Sequence, residues 1–214
     1  MSAPSRITVP RRRFLTWLFG LPVLAGWLVS ADSGAGAKPV ATPEDDIGPF
    51  YPLDWQGEID ADLSRFGGAS AEGERLRISG VVSDRDGKPL AGAVVEIWQA
   101  DRRGRYRHPG VPEQLRDPGF QGYGRTLTDT SGNYRFVTVM PGRYGSRPPH
   151  VHFRVAQPGR PEFVTQMYFR GDNREGGPTG RLPAGREALT VEARPSADGR
   201  EARFDLVLAV ATAR

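Results

Sequence analysis

From Leu76 onward the chain alternates. Leu76, Ile78, Gly80 and Val82 share one parity, and Arg77, Ser79, Val81 and Ser83 the other, which is the period of a half-buried strand. The run Asp84-Arg85-Asp86-Gly87-Lys88-Pro89 then supplies turn chemistry. Residues 93–99 read as a buried strand. Residues 134–139 read as another, entered through the turn Asp129-Thr130-Ser131-Gly132-Asn133. Residues 150–156, 163–169, 189–193 and 204–210 complete the set. No stretch after residue 37 carries a convincing helical period, so the expected architecture is all-β, a β-sandwich of short strands over residues 76–214. Residues 100–125 are Gly- and Arg-rich and aperiodic. A loop of that length in a compact domain is usually functional or disordered.

Upstream of the sandwich the pattern changes twice. Residues 38–75 read as a short irregular arm, beginning in a small-residue, acidic stretch at 32–47. Residues 1–37 read as a cleavable export signal. Arg11-Arg12-Arg13-Phe14-Leu15 leads into an apolar stretch from Leu15 to Val29, interrupted by Gly20, Pro22 and Gly26. That stretch falls short of the ~20 residues a membrane span needs. Small residues follow at Val29-Ser30-Ala31 and Ala35-Gly36-Ala37, as at a cleavage site. The arginine pair with Phe-Leu two residues on resembles the twin-arginine class. The expectation is therefore a periplasmic or otherwise exported protein with the twin-arginine (Tat) translocase as a partner. An ordinary Sec signal or an uncleaved amphipathic anchor is the alternative. The twin-arginine route moves folded proteins, and a metal inserted before export is one reason to use it.

Composition narrows the picture further. The 27 Gly and 19 Pro among 214 residues favour short strands and many turns over long helices. The absence of cysteine excludes a disulfide framework, a thiolate metal site, a cysteine nucleophile and a lipoprotein anchor. The formal charge is +4, of which residues 1–37 carry +3 through Arg6, Arg11, Arg12 and Arg13 against Asp32. A remainder near neutral gives no argument for nucleic acid as a partner.

Two of the three histidines are His150 and His152. Residues two apart in a strand point to the same face, so these imidazoles project side by side, about 7 Å apart at Cα. Val151, Phe153 and Val155 then face the core. The spacing suits two ligands of one metal, but the motif is weak alone and equally describes two polar-face histidines. A 2-His-1-carboxylate site would need an Asp or Glu partner, and none is flagged by spacing.

Three blocks resemble the intradiol ring-cleavage dioxygenases, in the order that family shows them. The first is Val95-Glu96-Ile97-Trp98-Gln99-Ala100-Asp101, followed by Gly104-Arg105-Tyr106-Arg107-His108. The second runs from Gly124-Arg125-Thr126-Leu127-Thr128-Asp129 through Gly132-Asn133-Tyr134-Arg135-Phe136 to Pro141-Gly142-Arg143-Tyr144. The third is Arg147-Pro148-Pro149-His150-Val151-His152-Phe153, with Thr165-Gln166-Met167-Tyr168-Phe169 after it. Gly48-Pro49-Phe50-Tyr51-Pro52 resembles that family's N-terminal segment. One such block is a weak signal, but the ordered set is strong.

The resemblance implies a β-sandwich that holds Fe(III) through Tyr106, Tyr144, His150 and His152. It also implies an enzyme that inserts both atoms of O2 into a catechol-type aromatic. The ring would open between its two hydroxylated carbons, giving a muconate-type diacid. Ferric iron favours phenolate oxygen and lowers a tyrosine pKa far below its free value of about 10. By the same resemblance, catecholate displaces Tyr144, which accepts a substrate proton, while Tyr106 stays bound. Arg147 steadies negative charge on the substrate, and Gln166 is a polar pocket residue. His108 is expected as a loop histidine and Trp98 as core.

The chain departs from the family in two places. Only Gly145 to Pro149 separate Tyr144 from His150, a shortened loop that leaves the pocket more open and the preferred ring unassigned. The helical dimerisation segment of catechol-type members has no counterpart, which makes the chain more like the protocatechuate-type catalytic subunit. Homo-oligomerisation is left open. The competing reading is a non-catalytic, transthyretin-like β-sandwich binding module, which the segment from Val81 to Ala93 also resembles.

Overall fold

The computed structural model describes residues 38–171 and 185–209. The expected export signal over residues 1–37 lies outside the described residues. Twelve strands follow in chain order: β1 (Arg65–Phe66), β2 (Ala69–Ser70), β3 (Arg75–Asp84), β4 (Val94–Gln99), β5 (Tyr123–Leu127), β6 (Asn133–Val139), β7 (His150–Ala156), β8 (Phe163–Phe169), β9 (Thr190–Val191), β10 (Arg194–Ser196), β11 (Gly199–Arg203) and β12 (Leu206–Leu208). Strands β1 and β2 form a small hairpin within the arm. The others make two five-stranded sheets. In the first, β10 pairs with β11, β11 and β12 pair with successive stretches of β3, and β6 pairs with β3 along its other edge. The second runs β5-β4-β7-β8-β9.

The two sheets bury different amounts of surface. Strand β3 alternates as its sequence does, with Leu76, Ile78 and Val82 inward and Arg77, Ser79 and Val81 outward. Strand β4 is buried on both faces almost throughout. Its inner residues Val95 and Ile97 join Phe136, Val151, Phe153, Val155, Met167 and Leu206 in the core between the sheets. Its outer residue Trp98 belongs to a second apolar cluster with Tyr106 and Tyr123, against which Phe50, Tyr51 and Trp55 of the arm pack. The second sheet is thus sandwiched twice, and its outer face lies under the arm and the segment 100–122.

The arm is irregular, as its composition predicts, but it is not a passive linker. Thr42 N–H donates to Val207 O and Asp45 N–H to Val164 O, so the arm touches both sheets. Residues 60–63 stitch the sandwich along one side. The carbonyls of Asp60 and Leu63 accept Arg125 N–H and Gln121 N–H, while Ala61 O and Leu63 N–H pair with Val137 of β6. Strand edges at β5 and β6 are thereby covered rather than left as pairing templates.

Several boundaries differ from the sequence reading. The aperiodic stretch 100–125 ends in strand β5, which Gly124 disguised. That glycine is required, because a Cβ there would lie 2.4 Å from Leu63 Cδ1 and 2.6 Å from Asp60 O. The expected strand at 189–193 opens with a 3-10 turn, Glu187–Leu189, and only Thr190–Val191 is strand. The expected strand at 204–210 is Leu206–Leu208 among the described residues, and Phe204 packs in the core outside it. The hairpin β10–β11 was missed because it is charged. Ala202 is its buried apolar residue, and main-chain pairing of β11 parallel to β3 holds it.

Candidate metal centre

Register builds the site. Trp98 pairs with both Tyr123 and His152, and His152 pairs with Gln166. Directly opposed residues share a face, so these four side chains form one row across β5, β4, β7 and β8 on the outer face of the second sheet. One step along, His150 pairs with Tyr168. Both histidines are buried, at 3% and 1% exposure.

The first imidazole has a defined tautomer. His150 Nδ1 lies 2.7 Å from Pro148 O, and a carbonyl can only accept, so Nδ1 carries the proton. Nε2 therefore presents its lone pair, and Tyr106 Oη, 3.1 Å away, donates to it. Fixing a ring through its outer nitrogen is how proteins orient metal-binding histidines. Burial pushes the His150 pKa down to about 4, against the opposing pull of the Pro148 carbonyl. Burial, with the charges of His150 and Arg147, holds His152 well below the usual range. Both rings are neutral at neutral pH, the state a metal requires.

His152 sits 4.9 Å from His150 between ring centroids, stacked on Trp98 at 4.8 Å and 10°. Its Nδ1 is buried without a hydrogen-bond partner. Gly48 explains why the arm can run against this ring: its φ is 70°, and a Cβ would approach His152 Cε1 to 3.1 Å.

The two candidate tyrosines differ. Tyr106 is buried, with Phe50 stacked on it at 4.4 Å and 17°. Burial pushes its phenol up, with Arg147 pulling the other way. Asp101 shapes the turn that carries it: its Oδ1 accepts Arg103 N–H at 2.8 Å and Arg105 N–H at 3.0 Å. Asp101 O accepts Gly142 N–H at 2.8 Å, which ties the Tyr106 turn to the segment leading to Tyr144. Tyr144 is 37% exposed and meets Tyr106 edge-on at 5.6 Å. It begins a tight turn closed by Arg147 N–H to Tyr144 O at 2.9 Å, the structural consequence of the short loop.

Arg147 and Gln166 are joined as well. Arg147 Nη2 donates to Gln166 Oε1 at 2.6 Å and to Tyr168 Oη at 3.0 Å. Gln166 Nε2 donates to Asp46 O at 2.7 Å, so its amide is fully engaged in holding Arg147 to the arm. Beyond them, Arg186 grips Asp45 with two nitrogens at 2.6 and 2.5 Å.

All the predicted site residues thus converge on one face, and His108 stands apart. It meets Phe50 edge-on, and its Nδ1 accepts Gly110 N–H at 3.2 Å. Trp98 is buried as expected, yet on the outer face beneath His152 rather than between the sheets. Sequence reasoning missed Phe50, Asp101, Tyr168 and the Asp45–Arg186 pair. Tyr168 was within reach, being two residues from Gln166 on one strand.

The donor chemistry fits a hard trivalent ion. Two neutral imidazoles, one with an unpartnered buried nitrogen, stand beside two phenols, and among the described residues no group of three or more His, Asp or Glu could hold a metal instead.

The sandwich thus carries paired histidines on the outer face of one sheet, with two tyrosines from adjoining turns beside them. Residues 47–210 match the family model described as Dioxygenase, and the chain belongs to this family, that of the intradiol ring-cleavage dioxygenases. It is 40% identical over 139 residues to the protocatechuate 3,4-dioxygenase beta chain of Burkholderia cepacia, covering 60% of this chain and 59% of that one. It is 34% identical over 125 residues to a catechol 1,2-dioxygenase of Acinetobacter baylyi, covering 49% and 39%. The chain therefore spans less than two thirds of these relatives' lengths. Among solved structures, it superposes with a TM-score of 0.64 and 34% identity on the dioxygenase domain of a dioxygenase carbohydrate-binding protein fusion from Streptomyces sp. SirexAA-E, covering 80% of this chain and 100% of that one. For the wild-type catechol 1,2 dioxygenase of Acinetobacter radioresistens the values are 0.61 and 25%, covering 80% and 63%. Membership decides against the transthyretin-like binding module.

Proposed function

We propose that the protein is a non-haem iron(III) intradiol dioxygenase with Tyr106, Tyr144, His150 and His152 as metal ligands. The observation that carries this is the 3.1 Å contact of Tyr106 Oη with the lone-pair nitrogen of His150, beside His152 and Tyr144. Ferric iron, held by these four side chains, would supply Lewis acidity that draws electron density from a catechol ring. Tyr106, locked under Phe50, stays in place. Tyr144, exposed on its turn, is free to swing out and take a substrate proton at Oη. Arg147, held by Gln166 and Tyr168, directs positive charge toward the ring carbon that becomes electron-rich. The arm over His152 and Tyr106 excludes water from that side.

The substrate class is a catechol, hydroxyquinol or carboxylated catechol, consumed with one O2 to give a diacid. Export by the twin-arginine route is part of the proposal, and Arg11-Arg12 with Phe14-Leu15 supports it. The test is a purified, iron-replete protein. It should hold about one ferric ion per chain, show a red-brown phenolate-to-iron band, and consume O2 and catechol one for one. A colourless protein that takes up zinc alone, or products bearing an extradiol aldehyde, would overturn the assignment.

A further inference from the structure

The Glu96 carboxylate lies one alternation from Trp98 on the outer face of β4, and only 4% of the residue is exposed. It accepts three hydrogen bonds: from Tyr51 Oη at 3.0 Å, Tyr123 Oη at 2.8 Å and Arg154 Nη1 at 2.6 Å. Arg154 also bonds Glu162 and reaches Tyr51 Oη at 3.3 Å. Burial and the Glu96 charge push both phenols up, so they remain donors and the carboxylate remains their acceptor.

Tyr51 belongs to the part of the arm that touches the metal centre. Within four residues, Gly48 lies against His152, Phe50 stacks on Tyr106 and meets Tyr144 edge-on at 4.9 Å, and Tyr51 meets Trp98 edge-on at 4.9 Å. Trp98 in turn stacks on His152. Among the described residues, no backbone group from 47 to 54 is hydrogen-bonded to either sheet. The Tyr51 hydroxyl is the polar tie of this segment to the sheet beneath it.

We propose that Glu96 is a positioning residue for this centre: clamped by Arg154, it latches Tyr51 and so fixes where segment 48–51 rests on His152, Tyr106 and Tyr144. The geometry favours this over a purely structural ion pair. Arg154 already has Glu162 as an acid partner, whereas among the described residues the two tyrosine hydroxyls have their carboxylate only in Glu96. The latch itself stands on protein contacts alone. Its consequence for turnover rests on the dioxygenase reading.

The test compares parent, Tyr51→Phe, Glu96→Gln and the control Glu162→Gln. Tyr51→Phe removes one oxygen and keeps the ring contacts, so it reports on the latch even if Glu96→Gln folds poorly. In protein without iron, chymotryptic cleavage after Phe50 should quicken about tenfold or more in Tyr51→Phe, the order expected for losing a hydrogen bond to a charged acceptor. Cleavage after Phe153 in β7 should stay at the parent rate, and Glu162→Gln should match the parent throughout. In iron-loaded protein with catechol as probe, KM should rise about tenfold while kcat changes by less than about threefold, the signature of lost positioning at the substrate-binding step. Unchanged cleavage after Phe50, or a uniform quickening of the arm and β7 together, would overturn the latch. A loosened arm in Tyr51→Phe, with a parent protein that cleaves no catechol, would support the latch and refute the dioxygenase reading instead.

Discussion

Removing the Asp101 carboxylate should loosen Tyr106 without touching any proposed metal ligand. Asp101 is 1% exposed, and its Oδ1 accepts two backbone N–H groups, at 2.8 Å from Arg103 and 3.0 Å from Arg105. A third contact, Oδ2 with Asp117 N–H at 3.3 Å, is long enough to count for little. A hydrogen bond to a charged group contributes about 1.5–3 kcal/mol, so the two short bonds together contribute about 3 kcal/mol at the lower end of that range. Asp101→Ala should therefore destabilise the metal-free protein by about 3 kcal/mol if the turn unfolds with the rest. If the turn opens locally, the cost falls on iron binding, because Tyr106 must be ordered before it can coordinate. An ordering cost of about 3 kcal/mol then weakens iron affinity roughly hundredfold. Asp101→Asn keeps an oxygen at the Oδ1 position and should lose less than about 1.5 kcal/mol. Urea unfolding of the metal-free variants and iron titration followed at the visible charge-transfer band read the two effects separately. Parent stability together with parent iron affinity in Asp101→Ala would refute the dependence of Tyr106 on this turn.

Three further outcomes are expected. Tyr144→Phe should keep much of the iron affinity through three remaining ligands yet turn over far more slowly, whereas His152→Ala should lose iron; metal analysis and oxygen uptake check both, and parent-rate turnover in Tyr144→Phe would sink the mechanism. Changing Arg11 and Arg12 together to Lys should leave precursor in the cytoplasm with fold and iron content intact, and undiminished export on cell fractionation would refute the twin-arginine reading. Burial works to raise the Asp45 carboxyl, but its bonds to Arg186 outweigh this and hold it below the ordinary 3.8. Its folded pKa is depressed, so its contribution is present above that value and is lost as pH falls through the lower folded pKa. Arg186→Gln should remove that acid-range loss, and urea midpoints at pH 5 and pH 3 that decline in parallel for parent and variant would count against it.

The histidine pair was legible because a strand period of two needs no tertiary information. His150 and His152 face out, Val151, Phe153 and Val155 face in, and the structure keeps that division. Tyr106 and Tyr144 were not legible from periodicity at all. Both lie outside the strands, in turns whose geometry is set by Asp101, Gly142 and the Tyr144–Arg147 closure. Only the ordered motif resemblance could pair them with the histidines. The row Tyr123–Trp98–His152–Gln166 was hidden for another reason, since it depends on which strands neighbour one another. Trp98 reads as core in sequence and is core, in the second apolar cluster on the outer face of the sheet. Strand β11 shows the limit from the other side. Its sequence is Gly-Arg-Glu-Ala-Arg, its partner β3 lies more than a hundred residues away, and the pairing is carried by main-chain groups that sequence does not vary.

The two tyrosines illustrate how one residue type takes two tasks from its surroundings. Tyr106 has lost almost all contact with water, stacks face to face with Phe50 and donates to His150, so moving it would break several contacts at once. Tyr144 keeps over a third of its surface exposed and meets its neighbours only by ring edges. In the proposed mechanism the tyrosine that moves has to be the one whose departure costs least. By that criterion the exposed phenol is the one proposed to exchange, and the criterion is physical rather than inherited from the motif. The short turn after Tyr144 works in the same direction, because it closes on Arg147 N–H and leaves the ring 37% exposed, free to swing as the proposed base.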